Sequence, residues 1–516
     1  MQDLIPSFTV GLIAFPLAIS FSTAIGIAPQ AGFVATIIGG IVGSIFGGTR
    51  FIITGPNTAF FLVGIEAMTR IGPHGLFLAT FLAGLFLVAS GFLKLGIVLD
   101  YIPYSVILGF SSGIGIVIVS TLLKDCLGIL APLKSGNFVL QSWFLYFKEW
   151  QHINIFAIMM SSAVIYFMRQ YRKSPYPVFV AVLIISTFIS WLLELPIETI
   201  GSRYKDFSAY FPKLQHLDIL SLSSVIEALP FALTITSLSI INALLATAVV
   251  HDKTNTSVNA NHELIAQGIA NMSVALFSGI PVTATMSRTI TNIENKAQTP
   301  MAGVFQALIV FLFLLFSVPL LKKVPFACLN AVFLSVAIDM LAFRKLWEQI
   351  KLPHGEPLVC FVTFFMTIFL DNGVAIMAGT MIASLLFIHQ MSQVTQVHSR
   401  SYASDIQEGI KIYHIDGPFF FGAASRLKIV FEEPHLKDKI IILNLKNMPL
   451  IDTTGSLILS RLIKQNPQTE FILTNMNKDT KEFFEKSGIS RKRHYIVTKD
   501  MDTAIAEAHK ILRKTL

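Results

Sequence analysis

Two stretches of this 516-residue chain place small hydroxyl and amide residues directly after a glycine and a proline, inside otherwise apolar runs. The first reads Phe51-Ile-Ile-Thr-Gly55-Pro56-Asn57-Thr58-Ala59-Phe60. The second reads Phe277-Ser-Gly279-Ile-Pro281-Val-Thr283-Ala-Thr285-Met286-Ser287-Arg288. Each has a short extended lead-in and then opens a new helix. The first N–H groups of a helix lack intrahelical acceptors and carry partial positive charge, so they favour an anion. The chemistry expected is reversible anion binding by Asn57, Thr58 and Ala59 at one helix start and Thr285, Met286 and Ser287 at the other. The competing reading is that these hydroxyls merely repair broken backbone. Arg288 follows immediately, and an arginine within a membrane span is costly and usually functional. It would ligate the anion or act as a fixed charge beside it, unless it snorkels to the interface or pairs with Glu294.

Such breaks make sense only in a particular setting. A backbone break in hydrocarbon is tolerated where protein or a water-filled cavity covers it. Paired breaks in the two halves of a membrane protein point to a site made from half-helices. The composition supplies that setting: 53% hydrophobic, 14% charged, mean hydropathy +0.66. No Asp, Glu, Lys, Arg or His lies between Asp3 and Arg50, and about 20 apolar residues span a bilayer. The first segment is too long, and too soon followed by others, to be a cleaved signal. Apolar segments fall near 6–24, 31–48, 57–70, 76–96, 104–123, 153–168, 177–194, 226–249, 262–277, 284–294, 301–320, 325–342, 357–370 and 373–391. They divide seven and seven around a polar stretch at 195–222. Pro56 and Pro281 lie at similar depths in the two halves, so two repeats are expected, about 1–200 and 220–395, within a membrane domain of 1–395. An odd number of spans per repeat makes them inverted. An even total puts both termini on one side, and basic clusters at Arg169/Arg172/Lys173 and Arg344/Lys345/Lys351 make that side cytoplasmic. The net charge of +8 is read as loop bias of this kind.

Near 395 the pattern changes to alternating strands and helices, predicting a soluble α/β domain over 403–516. Strands are expected at Ile410–Ile415, Gly417–Phe421, Lys439–Leu445, Glu470–Met476 and His494–Thr498. Helices are expected at Ala423–Phe431, after Asp452-Thr453-Thr454-Gly455, at 478–487 and at 501–514. No nucleotide-binding loop, metal spacing or catalytic constellation occurs, so neither primary pumping nor enzymatic activity is expected, and no cofactor, metal or nucleic-acid partner. Cys126, Cys328 and Cys360 sit in or beside apolar runs and form no framework. Glu263 and Gln267, one turn apart, read as a bracing network, as do Asn271 and Asn292. His152, His216 and His251 read as solvated.

In order and spacing, the motifs resemble the SulP anion-transporter family. They run from a first span with Pro16, through Gly26-Ile-Ala-Pro29-Gln-Ala-Gly32, Gly47-Gly48-Thr-Arg50 and Gly55-Pro56. They continue with Asn261-His-Glu263-Leu-Ile-Ala-Gln267-Gly268-Ile-Ala-Asn271 and Gly279-Ile-Pro281-Val-Thr283…Ser287-Arg288-Thr289…Asn292. The C-terminal part resembles a STAS domain, with Asp452-Thr-Thr-Gly455 for the usual Asp-Ser-x-Gly. The resemblance implies a polytopic α-helical membrane protein of fourteen segments in two inverted seven-segment repeats, arranged as core and gate domains, with a cytoplasmic α/β STAS domain. It implies a homodimer in the plasma (bacterial inner) membrane, moving a small inorganic or carboxylate anion, sulfate or bicarbonate foremost. It adds Phe21 as an aromatic bordering the anion site, and Thr454 as the hydroxyl matching a phosphorylated STAS position; simple helix capping competes for the latter. It also singles out Asn242, where many bacterial relatives carry Glu or Asp tied to Na⁺ or H⁺ coupling. Asn cannot titrate, so exchange, uniport or channel-like conduction gain ground, as does a sensor role. A relocated proton carrier would be Glu66 or Asp339.

Overall fold

The computed structural model describes residues 3–96, 103–129, 138–171, 178–204, 214, 221–353, 355–370, 372–399, 409–422, 439–486 and 495–515. The helix expected at Ala423–Phe431, and Arg172, Lys173, His216 and His494, lie outside them. The chain forms two compact units, Met1–Thr380 and Met381–Leu516.

The first unit begins with α1 (Leu4–Ile25) and α2 (Pro29–Phe46). Gly26, at φ 93°, ends α1 in the left-handed conformation, and Pro29 opens α2 where a missing N–H costs nothing. A two-residue strand β1 (Thr54–Gly55) and a 3₁₀ turn (Thr58–Phe60) lead into α3 (Phe61–Phe92), which kinks at Gly72 before Pro73. Then come α4 (Tyr104–Cys126), α5 (Phe138–Lys148), α6 (Ile155–Gln170), α7 (Val178–Leu192) and the single turn α8 (Ile200–Arg203). The second half runs through α9 (Leu222–Thr254), α10 (Ala260–Leu276), β2 (Thr283–Ala284), α11 (Met286–Glu294) and α12 (Met301–Leu321). It ends with α13 (Phe326–Met340), α14 (Phe343–Ile350), α15 (Glu356–Phe369) and α16 (Asn372–Val394).

Every apolar segment expected from the sequence lies on a helix, the third and fourth being the two arms of α3. Among the described residues eight helices are long and apolar enough to cross a bilayer, so the protein is an integral membrane protein. The short helices α5 and α14 were not expected: α14 interleaves Arg344, Lys345, Glu348 and Gln349 with its apolar residues, and α5, though largely apolar, has only 11 residues. The helices pack in two groups: α1–α3 with α9–α12, and α4 and α6 with α13 and α15. Contact between the groups runs chiefly through α1 against α13 and α7, and α3 against α4. Asp3 fastens the start of α1 to the turn before α12. Its carboxylate accepts the Gln298 and Thr299 N–H groups at 2.7 and 3.3 Å and the Thr299 hydroxyl at 2.6 Å.

The second unit holds a five-stranded sheet in the order β3 (Gln396–Ser399), β4 (Ile410–Asp416), β5 (Ile440–Asn444), β6 (Glu470–Thr474), β7 (Tyr495–Thr498). The last four are parallel and β3 is an antiparallel edge. Helices α17 (Thr453–Gln465), α18 (Lys478–Lys486) and α19 (Met501–Thr515) complete it. Ile441, Leu443, Phe471 and Leu473 pack with Leu459 and Leu462 of α17 on one face; Ile440, Ile442 and Ile472 pack with Ala504, Ala508 and Leu512 of α19 on the other. Two covered faces explain the continuous apolar run of β5. The strand expected at Gly417–Phe421 is not formed; Phe419 makes one isolated bridge with Ile451 instead.

Candidate functional site

The two breaks meet. Strand β1 pairs antiparallel with β2, Thr54 opposite Ala284 and Gly55 opposite Thr283. The amide and hydroxyl of Thr285 both bond to the Ile53 carbonyl, at 2.9 and 2.8 Å. In return the Thr289 hydroxyl accepts the Ile53 N–H at 3.1 Å, and the Asn292 amide donates to the Phe51 carbonyl at 3.0 Å. The extended lead-ins thus find in each other the partners that a broken helix lacks.

Helix α10 splints both. Asn271 donates to the Val282 carbonyl at 2.7 Å and accepts the Val282 N–H at 3.0 Å, as a neighbouring strand would. Gln267 donates to the Thr54 hydroxyl at 2.8 Å and to Glu263 at 2.6 Å, and Glu263 accepts the Gly48 N–H at 2.9 Å. All three side chains are fully buried. The bracing role expected for Glu263, Gln267, Asn271 and Asn292 is what their contacts describe. The closeness of α2 is set by Gly43, where a Cβ would fall 2.2 Å from the Thr54 hydroxyl oxygen.

From this frame two helix starts emerge. At the first, Asn57 caps the 3₁₀ turn: its carbonyl oxygen accepts the Ala59 N–H at 3.1 Å and the Thr58 hydroxyl at 3.2 Å. Ala59 is buried and its amide is taken up by that cap, whereas Asn57 and Thr58 are half-buried. Asn57 also donates to Asn242 at 3.5 Å, and the Asn242 amide donates back to the Leu238 carbonyl at 2.8 Å. Asn242 therefore does stand beside the first helix start. At the second, Thr285 provides no side-chain cap, and its hydroxyl is directed to Ile53. Thr285 is buried, while Met286 and Ser287 are exposed.

Arg288 is 2% exposed and is among the largest fully buried side chains. Its Nη2 donates to the Pro56 carbonyl at 2.6 Å, tying α11 to the start of the opposite half-helix. It neither snorkels nor pairs with Glu294, whose partner is Lys253 at 3.0 Å. Nη1 has no hydrogen-bond partner among the described residues. The guanidinium lies over Gly55, where a Cβ would come 2.7 Å from Nη1.

Phe21 is buried, with its ring edge-on to Phe333 of α13 at 4.8 Å between centroids. Phe61 meets the same ring at 5.7 Å. Phe333 thus joins the two helix groups next to the first break. Sequence reading missed it, since one Phe in an apolar helix carries no signal. Glu66 pairs with Arg70 at 2.8 Å, and Asp339 is exposed. In the second unit Asp452 caps α17, accepting the Gly455 N–H at 2.7 Å and the Phe421 N–H at 3.0 Å, which leaves Thr454 exposed at the helix start. Among the described residues no group of His, Cys, Asp and Glu could hold a metal.

The sulfate permease family model matches residues 1–363, and the STAS domain model matches residues 401–504. YvdB of Bacillus subtilis, provisionally named a sulfate transporter, is 30% identical over 502 residues, spanning 95% of this chain and 94% of that protein. The bicarbonate transporter BicA of Synechocystis is 30% identical over 489 residues, 90% of this chain and 86% of the relative. The structure of the BicA transmembrane domain superposes with a TM-score of 0.65 at 27% identity, over 73% of this chain and 96% of that one. The murine Slc26a9 anion transporter in its inward-facing state shares the fold with a TM-score of 0.84, over 99% and 91% of the chains, at 19% identity.

Proposed function

Because the chain belongs to the sulfate permease family, we propose that it is a secondary transporter carrying a small anion, sulfate or bicarbonate foremost, across the plasma membrane by alternating access. Both termini lie in the cytoplasm, and the working form is a homodimer. The observation that carries this reading is the β1–β2 ladder, which joins two helix starts into one anion-favouring unit with Arg288 bonded across it. Met286 and Ser287 offer amides and a hydroxyl from one side, Asn57 and Thr58 from the other. Arg288 supplies fixed positive charge from behind Gly55, and its Nη1 remains for the anion or a water that accompanies it. Phe21 forms an apolar wall. The two helix groups, touching chiefly through α1, support movement of one against the other.

Asn242 sits where a coupling carboxylate would, hydrogen-bonded to Asn57 and unable to carry a proton. Transport is accordingly driven by the anion gradient, as exchange or uniport, without Na⁺ or H⁺. Thr454, exposed at a helix start, is the STAS hydroxyl open to phosphorylation. Purified protein in liposomes, offered labelled sulfate, bicarbonate, chloride and dicarboxylates with and without Na⁺ and pH gradients, tests all of this. Uptake of one anion, unchanged by a Na⁺ gradient, is expected. Strong Na⁺-driven accumulation overturns the coupling assignment, large uncoupled currents make the protein a channel, and binding without flux makes it a sensor.

A further inference from the structure

A polar cavity lies where α2 stops, at the outer end of the lead-in to the first break, with Phe51 in its wall. Its volume is about 580 Å³, and it is lined by Ser44, Gly47, Thr49, Arg50, Thr256 and Ser257, with Ile45 and Pro300 at its edge. Three features mark it as built to receive something. Arg50 is exposed and has no ion pair or hydrogen bond among the described residues, its guanidinium resting 5.3 Å from the ring of Phe51. Ser44 is 4% exposed, yet its hydroxyl finds no partner among the described residues. Glu263, behind the loop, is fully buried with its carboxylate engaged by the Gly48 N–H and by Gln267, and it makes no ion pair with Arg50.

The surroundings decide the class of ligand. Ile45, Phe46 and Met301 are 60%, 53% and 44% exposed beside the opening. A free oxyanion has no use for an apolar wall. A phospholipid brings a phosphate for Arg50, a polar headgroup for the hydroxyl lining, and acyl chains for the apolar rim. Basic pockets at helix ends on the cytoplasmic side are where anionic headgroups bind. We propose that this cavity holds the headgroup of an anionic phospholipid from the leaflet on the side of the N-terminus, with Arg50 on the phosphate.

The test is retention of phosphatidylglycerol against phosphatidylcholine by the full-length protein in detergent, read by native mass spectrometry. Native protein should retain the anionic lipid preferentially. Arg50→Gln should lose about fivefold of that preference, the worth of one basic contact at a membrane surface, and Arg50→Lys should keep most of it. Ser257→Trp, which fills the cavity from its exposed rim, should displace the lipid even if Arg50→Gln proves poorly folded. Arg70→Gln, whose arginine pairs with Glu66 elsewhere, is the control and should change nothing. Equal retention by native, Arg50→Gln and Ser257→Trp proteins overturns the site. Full competition by inorganic phosphate at equal concentration overturns the lipid as its occupant. Neither result bears on transport through the paired breaks.

Discussion

Adding one methyl group at Gly55 should disable the proposed anion site through Arg288 alone, leaving the groups at the two helix starts in place. An alanine Cβ there would lie 2.7 Å from Arg288 Nη1, 3.0 Å from Nη2 and 3.2 Å from Cζ. The backbone at Gly55 is extended strand paired with Thr283, so alanine itself is conformationally acceptable. The guanidinium must therefore retreat by several tenths of an ångström, and the 2.6 Å bond from Nη2 to the Pro56 carbonyl is lost or stretched. A hydrogen bond to a charged group is worth about 1.5–3 kcal/mol, and local overpacking adds about 1 kcal/mol. The sum, roughly 2.5–4 kcal/mol, corresponds to a 50-fold or greater loss of anion affinity, on the order of tenfold per 1.4 kcal/mol, if it is fully transmitted. The assay is a double-mutant cycle in purified protein, with anion affinity by calorimetry and flux in liposomes. Gly55→Ala and Arg288→Ala should each weaken binding, but Gly55→Ala should add little once Arg288 is gone, because the clash has no second party. Native-like affinity in folded Gly55→Ala protein, or additive effects in the double variant, would refute the role assigned to Arg288.

Three further outcomes are expected. Arg288→Ala should reduce anion affinity or flux more than Ser287→Ala, since a buried charge contributes more than a hydroxyl worth about 1 kcal/mol; liposome uptake with matched expression decides. Asn271→Leu should lower thermal stability by about 2–5 kcal/mol, because the Val282 N–H and carbonyl lose their partners in the interior; a melting temperature unchanged from native would count against the splint. Asp3→Ala should cost about 1–3 kcal/mol by releasing α1 from the turn before α12. Burial draws the Asp3 carboxyl upward, but the bonds from Gln298 and Thr299 outweigh it and hold the group below its ordinary value. Its stabilisation is therefore present above the ordinary carboxylate range and disappears as pH falls through the lowered value, so native and variant melting curves should converge in acid.

The spans, the paired breaks and most STAS strands were legible because each rests on a local pattern: long apolar runs, glycine and proline at matched depth, alternation around a continuous apolar β5. Asn271 and Gln267 were legible as bracing residues, since buried amides one turn apart on a helix need partners. Their targets were not. Nothing in the order of residues says that Asn271 would stand in for a strand beside Val282, or that Arg288 would reach the Pro56 carbonyl 232 positions away. The expected strand at Gly417–Phe421 failed for a related reason. Its apolar pattern is real, but Phe419 is satisfied by a single bridge and by burial against Ile451, with no ladder to extend. Phe333 could not be singled out, because its significance lies in which two rings it touches.

The β1–β2 ladder also fixes an order of events in biosynthesis. Thr54 and Gly55 enter the membrane with the first half of the chain, but their strand partners, Thr283 and Ala284, belong to the second. Gln267 and Asn271, which splint the two lead-ins, also come later in the chain. Until α10 and β2 have been inserted, the first break has polar backbone that its own half cannot pair, and that half must keep water or another protein beside it. The ladder is therefore a late closure, and a chain interrupted between α9 and α11 would leave the first half open however well its own helices had packed.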